Sequence, residues 1–164
     1  MFYAPSDLSG VGGMRKERIR AVSQWRGGHA RYDTVLVKPN KDALNEETIN
    51  SLSISQVRLF FSFVYQQKTY SCALLHDFEV VIDRNHSEIT GMALVKRAMQ
   101  GNRPRTRVVA LHNILRAVHL IPVFSDGGGI PKGYDHESIL TDHKRFKRFY
   151  VNKYIDHHAF EILS

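Results

Sequence analysis

Histidine and acidic side chains are the first residues to consider for chemistry in this chain, because they supply metal ligands and general acids or bases. Nine histidines are present, and three potential ligands stand together in Asp156-His157-His158 near the C-terminus. Adjacent residues of an extended segment point to opposite faces, so a single metal site here would need distant partners. The pattern favours a polar group at a helix end beside Phe160 and Ile162. A metal-dependent hydrolase that uses these three residues is the remote alternative.

A second set of possible metal ligands comes from residues 76–86. His76-Asp77, Asp83 and His86 carry donors suited to a metal, and a hairpin could bring the two halves of the set together. No spacing in this segment fixes such a geometry, so a solvated loop edge is the expected structure. We predict no metal site and no cofactor.

Two further motifs are weak candidates for a nucleophile and for a phosphate loop. Cys72 alternates with apolar residues on a predicted strand, which is typical of a buried small hydrophobe. Gly127–Lys132 is rich in glycine, but a phosphate loop needs Gly-Lys-Ser/Thr at the start of a helix, and here Pro131 and Gly133 flank the lysine. We therefore expect no catalytic residue and no enzyme.

Basic side chains give a stronger signal. The 23 Lys and Arg residues exceed the 16 Asp and Glu residues, for a formal net charge of +7, and the excess is concentrated in Met14–Arg31 and Lys96–Arg107. Such segments can neutralise DNA phosphates with release of counterions, and Trp25 and Tyr32 could stack or pack among them. Because no zinc finger, RNA-recognition signature or homeodomain helix is present, we predict sequence-independent backbone contact, with a merely solvated surface as the alternative. The predicted nucleic-acid-binding residues are Arg15, Lys16, Arg18, Arg20, Arg26, Lys96, Arg97, Arg103, Arg105 and Arg107.

A folded domain must position these segments, and length and composition allow one. With 164 residues, 43% of them hydrophobic, and one cysteine, the chain can bury a single core without disulfides, and we expect it inside the cell. Its apolar runs are far shorter than the roughly 20 residues of a membrane helix, so we expect no membrane partner. Glycines punctuate residues 1–28, which predicts a flexible basic segment with one short helix at Met14–Gln24. Residues 29–164 are predicted to form a single β-rich domain that ends in a helix.

Alternation of apolar and polar residues predicts the first strands. Tyr32–Val37 indicates a short strand, and Val57–Phe78 indicates a hairpin whose connector, Gln66–Lys68, lacks the Gly or Asn of a tight turn. Val80–Ile82 could extend the hairpin, and Gly91–Lys96 indicates another strand. These elements together predict an antiparallel sheet.

The following segment is less regular. Val108–Leu111 and Val118–Phe124 are β-like runs around a helical turn at His112–Leu115, while one helix across Val109–Leu120 is the competing interpretation. Asp126–Gly133 is expected to be a loop.

The last predicted element is a helix that starts near Asp135 or Ser138. Its residues at helical spacing are Leu140, His143, Phe146, Phe149 and Tyr150. The predicted fold is α+β and predominantly β, with a small twisted antiparallel sheet or partly open barrel and a C-terminal helix. In the order of its strands it resembles bromo-adjacent homology domains.

Short strings spread over most of the chain carry a family resemblance. They are Leu8–Met14, Ser23–Arg26, Arg31–Val37, Val57–Phe63, Tyr70–His76, Thr90–Met92, His119–Val123 and Tyr150–Glu161. They resemble the region after the catalytic part of transposase-derived proteins of basidiomycete fungi, the Plavaka-like and KDZ-related cut-and-paste elements. The chain departs from that pattern at Asp77, where an aromatic residue is expected. Such transposases cut DNA with carboxylates of an RNase H-like domain, whose length and alternating β-α order this chain lacks.

The resemblance implies a non-enzymatic accessory domain of transposon origin that contacts DNA or a nucleoprotein complex in the nucleus. The expected partners are DNA, bound through its backbone, or a transposase or chromatin protein. The alternative is a protein-interaction module whose exposed hairpin edge or C-terminal helix docks a partner without nucleic acid. The oligomeric state is left open.

Overall fold

The computed structural model describes residues 2–3, 15–38, 52–82, 89–124 and 146–164, and it is mostly β-structure with a helix at the C-terminus. The strands are β1 (Phe2–Tyr3), β2 (Arg15–Lys16), β3 (Ala21–Val22), β4 (Arg31–Tyr32), β5 (Thr34–Val37), β6 (Ser53–Tyr65), β7 (Lys68–Val81), β8 (Leu94–Arg97), β9 (Met99–Gln100), β10 (Arg103–Pro104), β11 (Thr106–Ala110), β12 (Ile114–Ala117), β13 (Leu120–Pro122) and β14 (Arg148–Val151). Short 3-10 turns at Leu111–Asn113 and Lys153–Ile155 and the helix α1 (His157–Leu163) accompany them. The predicted fold class is confirmed, because eight strands form a curled, open antiparallel sheet, a half-barrel.

The sheet is built around the long hairpin β6–β7. Its strand order is β12-β5-β6-β7-β8-β14-β13, and β11 pairs with β7 on the same edge as β8. Between β8 and β11 the chain leaves the sheet as the short hairpin β9–β10. At this join Ala98 N–H donates to Asp77 O over 2.9 Å, and Asp77 N–H donates to Arg105 O over 3.0 Å. The edge of β7 is therefore paired without a break across the inserted hairpin.

The two outermost strands of the sheet follow each other in sequence. Only Val118 and His119 separate β12 from β13. Val118 N–H donates to Thr34 O over 2.8 Å, and Asn152 N–H donates to His119 O over 2.9 Å. One short segment thus hydrogen-bonds to strands at both sides of the sheet, which holds the sheet in its curled form.

Apolar side chains pack in two clusters, because successive residues of a strand point to opposite faces. Val35 and Val37 of β5 belong to one cluster and Leu36 to the other, so β5 is buried on both faces. The Val35 cluster contains Val35, Val37, Val57, Ala73, Leu75 and Ile114. The Leu36 cluster contains Leu36, Phe78, Val95, Val118, Leu120, Phe146, Phe149 and Val151, and Ile162 and Leu163 of α1 pack against it.

A register shift interrupts the hairpin β6–β7. Val57 pairs with Leu75 and Leu59 pairs with Leu74, so Arg58 is the extra residue of a β-bulge. Because Leu74 and Leu75 point to opposite faces, the shift moves Leu59 to the face opposite Val57. Val57 is accordingly buried in the core, whereas Leu59 is exposed.

The predicted strands of the first half are confirmed. Tyr32–Val37 contains β4 and β5, and the hairpin predicted over Val57–Phe78 is β6–β7, although both strands run further than predicted. The strand predicted at Gly91–Lys96 is β8.

Two predicted helices are wrong in this part of the chain. Residues 15–16 and 21–22, inside the helix expected at Met14–Gln24, are strands because β2 pairs with β1 and β3 pairs with β4. The competing helix across Val109–Leu120 is also wrong, since this stretch contains strands that pair with β7, β5 and β14. The helical turn predicted at His112–Leu115 is partly right: a 3-10 turn covers Leu111–Asn113, but Ile114 and Leu115 belong to β12.

A C-terminal helix is present, but Phe149 and Tyr150, which are spaced as in a helix, lie in a strand. Phe149 and Tyr150 belong to β14, which pairs with β8 and β13. Phe149 is buried edge-on against Phe78 with ring centroids 5.8 Å apart, so tertiary pairing overrides the helical spacing. The helix is α1, and Asp156 caps it by accepting a hydrogen bond from Ala159 N–H over 2.8 Å.

Several predictions fall on residues outside the described ranges. They concern the loop Asp126–Gly133 with its glycine-rich motif, the donors Asp83 and His86, and the helix start at Asp135, Ser138, Leu140 and His143.

The division between residues 1–28 and 29–164 stays a prediction. Residues 15–28 do contact the sheet, because Glu17 Oε2 accepts a hydrogen bond from Ala117 N–H over 2.8 Å. Ile19 and Ala21 pack against the Val35 cluster.

The tip of the hairpin β6–β7 generates a test of the fold. Gln66 and Gln67 both have left-handed backbones, with φ of 47° and 60°, which is the geometry of a turn that normally uses Asn-Gly. Replacing them together, Gln66→Asn and Gln67→Gly, is expected to raise the free energy of unfolding by about 1 kcal/mol in urea titrations. Gln100→Gly in strand β9 is the control and should lower stability; a loss of stability in the turn variant would contradict the geometry.

Candidate nucleic-acid interface

Trp25 lies among three arginine side chains. The guanidinium carbons of Arg20, Arg26 and Arg31 lie 4.4, 5.4 and 5.4 Å from the centre of its indole ring. These are cation–π distances, so the ring holds the three cations close together. We call Trp25, Arg20, Arg26 and Arg31 the Trp25 cluster.

The local fold explains how these residues meet. β3 and β4 pair antiparallel, with Val22 opposite Arg31, and Trp25 lies in the loop that joins them. Trp25 N–H donates to His29 O over 3.1 Å, and Gly28 N–H donates to Trp25 O over 2.9 Å. Arg26 takes a left-handed backbone with φ of 49°, which is uncommon outside glycine and is found where the surrounding structure holds it.

Charge in the Trp25 cluster is only partly balanced. Asp33 Oδ1 accepts from Arg31 Nε over 2.8 Å, while Asp33 Oδ2 accepts from the backbone N–H of Arg20 over 2.8 Å. Among the described residues, no carboxylate pairs with the guanidinium groups of Arg20 and Arg26. The cluster therefore has an excess of positive charge, and an anion at this surface would relieve the repulsion between the arginines.

A cleft of about 650 Å³ opens beside the Trp25 cluster, lined among others by Trp25, Tyr32, Arg18 and His119. His119 Nδ1 accepts from Asn152 Nδ2 over 3.0 Å, and burial lowers the pKa of this histidine. The exposed side chains of Arg18 and Arg26 also line the cleft, so its excess cations face solvent.

An ion pair between buried Arg116 and exposed Asp156 forms another wall of the cleft. Arg116 is 4% exposed, and its Nη1 and Nη2 donate to the two carboxylate oxygens of Asp156 over 2.9 and 2.6 Å. Arg116 Nη1 also donates to His158 Nδ1 over 3.0 Å. The hydrogen bonds from Arg116 are the main reason why the pKa of Asp156 is lowered. This pair joins the edge strand β12 to the start of α1.

The structure brings Arg97 of the basic segment Lys96–Arg107 toward the basic segment Met14–Arg31. Arg97 Nη1 donates to Gln56 Oε1 over 3.3 Å, and Gln56 Nε2 donates to Tyr32 O over 3.1 Å. The bulge residue Arg58 places its guanidinium 3.7 Å from the centre of the Tyr32 ring. Burial, Arg58 and Arg97 in that order lower the pKa of the neighbouring His76. Arg58 and Arg97 therefore extend the basic surface away from Trp25.

Most of the other predicted residues of Lys96–Arg107 pair with carboxylates. Asp77 is 7% exposed in its side chain and accepts from Arg107 Nε over 2.8 Å, from Arg105 Nε over 3.3 Å and from Ser55 Oγ over 2.7 Å. Lys96 Nζ lies 3.1 Å from Glu79 Oε1. Arg103 is exposed on β10. Three of the five predicted residues therefore have carboxylate partners within the domain.

Of the predicted residues in the N-terminal segment, Arg15 and Lys16 form β2 at some distance along the chain from Trp25. Sequence reasoning missed Arg58 and Arg116. For Arg58 a signal existed, since it is the only charged residue between Ser53 and Gln67. Arg116 stands between the two β-like runs, where no pattern distinguishes it.

The candidate metal ligands that the structure describes make other contacts. Asp156 caps α1 and pairs with Arg116, and His157 Nδ1 lies 3.4 Å from Glu161 Oε1. His76 and Asp77 are neighbours on β7 and point to opposite faces. Within the ranges that the structure describes, no group of three His, Cys, Asp or Glu side chains could hold a metal ion. Cys72 is buried, as predicted.

Comparison of the chain with protein-family models, curated proteins and solved structures finds no match. Over the described residues, no helix is both long enough and apolar enough to cross a bilayer. Function must therefore be argued from the site.

The Asp77 pairing predicts a structural role for Arg105 and Arg107. Asp77→Asn is expected to lower the free energy of unfolding by about 2–4 kcal/mol, because it leaves two guanidinium groups without their shared carboxylate. Glu79→Gln, two residues along the same strand, is the matched control; its exposed pair with Lys96 should be worth less than about 0.5 kcal/mol. Equal effects of the two substitutions in urea unfolding would contradict this role.

The Arg116–Asp156 pair predicts a pH dependence. Its contribution is present above the ordinary carboxyl pKa and is lost as the pH falls through the lowered pKa of Asp156. Asn caps helices as well as Asp does, so Asp156→Asn removes the charge pair and keeps the cap. We expect a loss of roughly 1–2 kcal/mol at pH 7 that shrinks in acid. Glu161→Gln is the control, and a difference that stays constant down to acid pH would contradict the assignment.

Proposed function

We propose that this chain is a non-enzymatic domain that contacts the phosphate backbone of DNA through the Trp25 cluster. The single observation that carries the proposal is the close approach of three guanidinium groups to one indole ring with one carboxylate among them. Origin from a transposon and a place in the nucleus follow from the family resemblance and are part of the same proposal.

Phosphate is the anion that fits this arrangement best. Arginine presents planar pairs of N–H donors that match phosphate oxygens, and released counterions make such contacts favourable at low salt. Arg20 and Arg26 lack a carboxylate partner among the described residues, and Arg18 is exposed beside the same cleft. These three arginines would carry the phosphate contacts.

The second basic segment has a divided role in this proposal. Arg97 adds positive charge beside Tyr32 together with Arg58, and exposed Arg103 is available to a bound duplex. Arg105 and Arg107 hold Asp77 instead. The proposal thus reduces ten predicted contact residues to a smaller set around Trp25 and Tyr32.

Trp25 is the only tryptophan in the chain, so its fluorescence reports on this surface alone. Titration with duplex DNA should change the emission of Trp25. Phosphate contacts weaken strongly between roughly 50 and 200 mM salt, so the measured affinity should fall as the salt concentration rises over this range. Arg26→Gln should weaken binding and reduce the slope of log affinity against log salt by about 1. Arg20→Gln should act in the same direction.

The control for this titration is Lys147→Gln, which removes a charge from an exposed side chain far from Trp25 in sequence. It should leave both the affinity and the salt slope nearly unchanged. The proposal fails if the wild-type protein does not bind duplex DNA at low salt, or if Lys147→Gln weakens binding as much as Arg26→Gln.

Protein interaction remains the second candidate, and a specific observation favours it. The outer half of the hairpin β6–β7 exposes large apolar side chains on both faces, with Phe63 and Tyr65 on one face and Phe60 and Val64 on the other. Exposed apolar patches of this kind mark interaction surfaces in many proteins.

A further inference from the structure

One face of the sheet carries an apolar surface at the outer half of β6, β7 and β11. The strand pairing places Leu59, Leu74 and Val108 in one row and Phe61, Cys72 and Ala110 in the next. Phe63 lies opposite Tyr70 in a third row, and Tyr65 lies opposite Lys68 at the tip. We call the apolar residues of these rows the hairpin platform.

The platform is open among the described residues. Leu59, Phe63, Tyr65 and Val108 are 50, 47, 59 and 55% exposed. The rings of Phe63 and Tyr70 stack with centroids 5.3 Å apart, and Phe61 and Phe63 stack at 6.4 Å. The side chains are therefore ordered against one another while one side of the row faces solvent.

Charge is confined to the ends of the platform. Lys68 is at the tip, with its ammonium nitrogen 5.4 Å from the centre of the Tyr70 ring. At the other end lies the row Gln56, His76 and Thr106. An apolar centre rich in aromatic residues with a polar rim is the composition of a protein–protein interface.

We propose that a second copy of this chain covers the hairpin platform and forms a symmetric dimer. The inference is independent of DNA binding and goes beyond it. Two-fold symmetry sets the same patch against itself, so the patch must not place like charges together at its centre. The platform meets this condition because the charged residues that border it on the hairpin, Lys68 at the tip and Arg58 beside Leu59, lie at its two ends.

The area of the platform fits a dimer. A buried aromatic side chain covers about 150–250 Å², so the exposed parts of these residues amount to roughly 500–600 Å² on each copy. Two copies would bury about 1,000–1,200 Å², which reaches the lower limit of specific interfaces. A nucleic acid is the weaker fit, because Lys68 is the one cation in the aromatic rows among the residues that the structure describes.

Salt separates this association from DNA binding. Each copy has a formal charge of +7, so added salt should screen the repulsion between copies and tighten the dimer. The same salt weakens contacts with phosphates. The two surfaces therefore respond to ionic strength in opposite directions.

The test is sedimentation equilibrium of the full chain over a range of protein concentrations, with two matched substitutions. Val108→Asp places a charge on the platform, and Val64→Asp places it on the opposite face of the same hairpin, at a residue 69% exposed. We expect a concentration-dependent dimer whose dissociation constant rises by about tenfold or more in Val108→Asp and hardly changes in Val64→Asp. Circular dichroism of both variants checks that the fold is kept.

Three outcomes would overturn the dimer. They are a wild-type monomer at every concentration, equal effects of Val64→Asp and Val108→Asp, and a dimer that loosens as salt rises. A monomer whose binding to single-stranded oligothymidine is lost in Val108→Asp would identify the platform as a base-stacking surface instead. Arg26→Gln should leave the dimer unchanged, so failure of DNA binding and failure of dimerisation are distinguishable.

Discussion

The β-bulge at Arg58 is the constraint on which the rest of the structure depends. By inserting one residue between Val57 and Leu59, it ends the buried part of β6 and turns the following alternate residues to the opposite face. Val57 before the bulge belongs to the Val35 cluster, and the residues after it that share the face of Leu59 belong to the hairpin platform. The bulge also aims Arg58 at the ring of Tyr32, which joins the hairpin to the basic surface.

Arginine has two different roles in this domain, and net charge does not distinguish them. Arg107 and Arg116 are among its less exposed arginines, and each is held by a carboxylate at 2.9 Å or closer. A buried guanidinium must keep such a partner, because leaving it unpaired costs far more than an exposed pair contributes. Arg20 and Arg26 are instead held against an indole ring, which does not neutralise their charge. Arginines of the second kind keep a charge that an outside anion can neutralise, whereas those of the first kind do not.

Sequence periodicity predicts the fold class and the central hairpin because β6 and β7 alternate clearly, and it fails where pairing partners are distant. Phe146, Phe149 and Tyr150 are spaced as in a helix, but β14 completes the sheet between β8 and β13 and buries Phe149 against Phe78. The site was predictable in part: Arg20, Arg26 and Trp25 stand in one basic segment. No local signal showed that Asp77 would engage Arg105 and Arg107, since those contacts bridge 28 and 30 residues.

The positions of the two candidate surfaces follow from the same hairpin. Tyr32 lies beside the inner end of β6, where Gln56 and Arg58 contact it, and the hairpin platform occupies the outer end of the same strand. Covering the platform would therefore leave the Trp25 cluster open, so a symmetric pair would present two basic surfaces. Two such surfaces on one duplex would raise the effective affinity without any further contact, provided that their separation lets both engage at once. Under the proposed function, each copy would then need a smaller excess of charge to reach a given affinity for DNA.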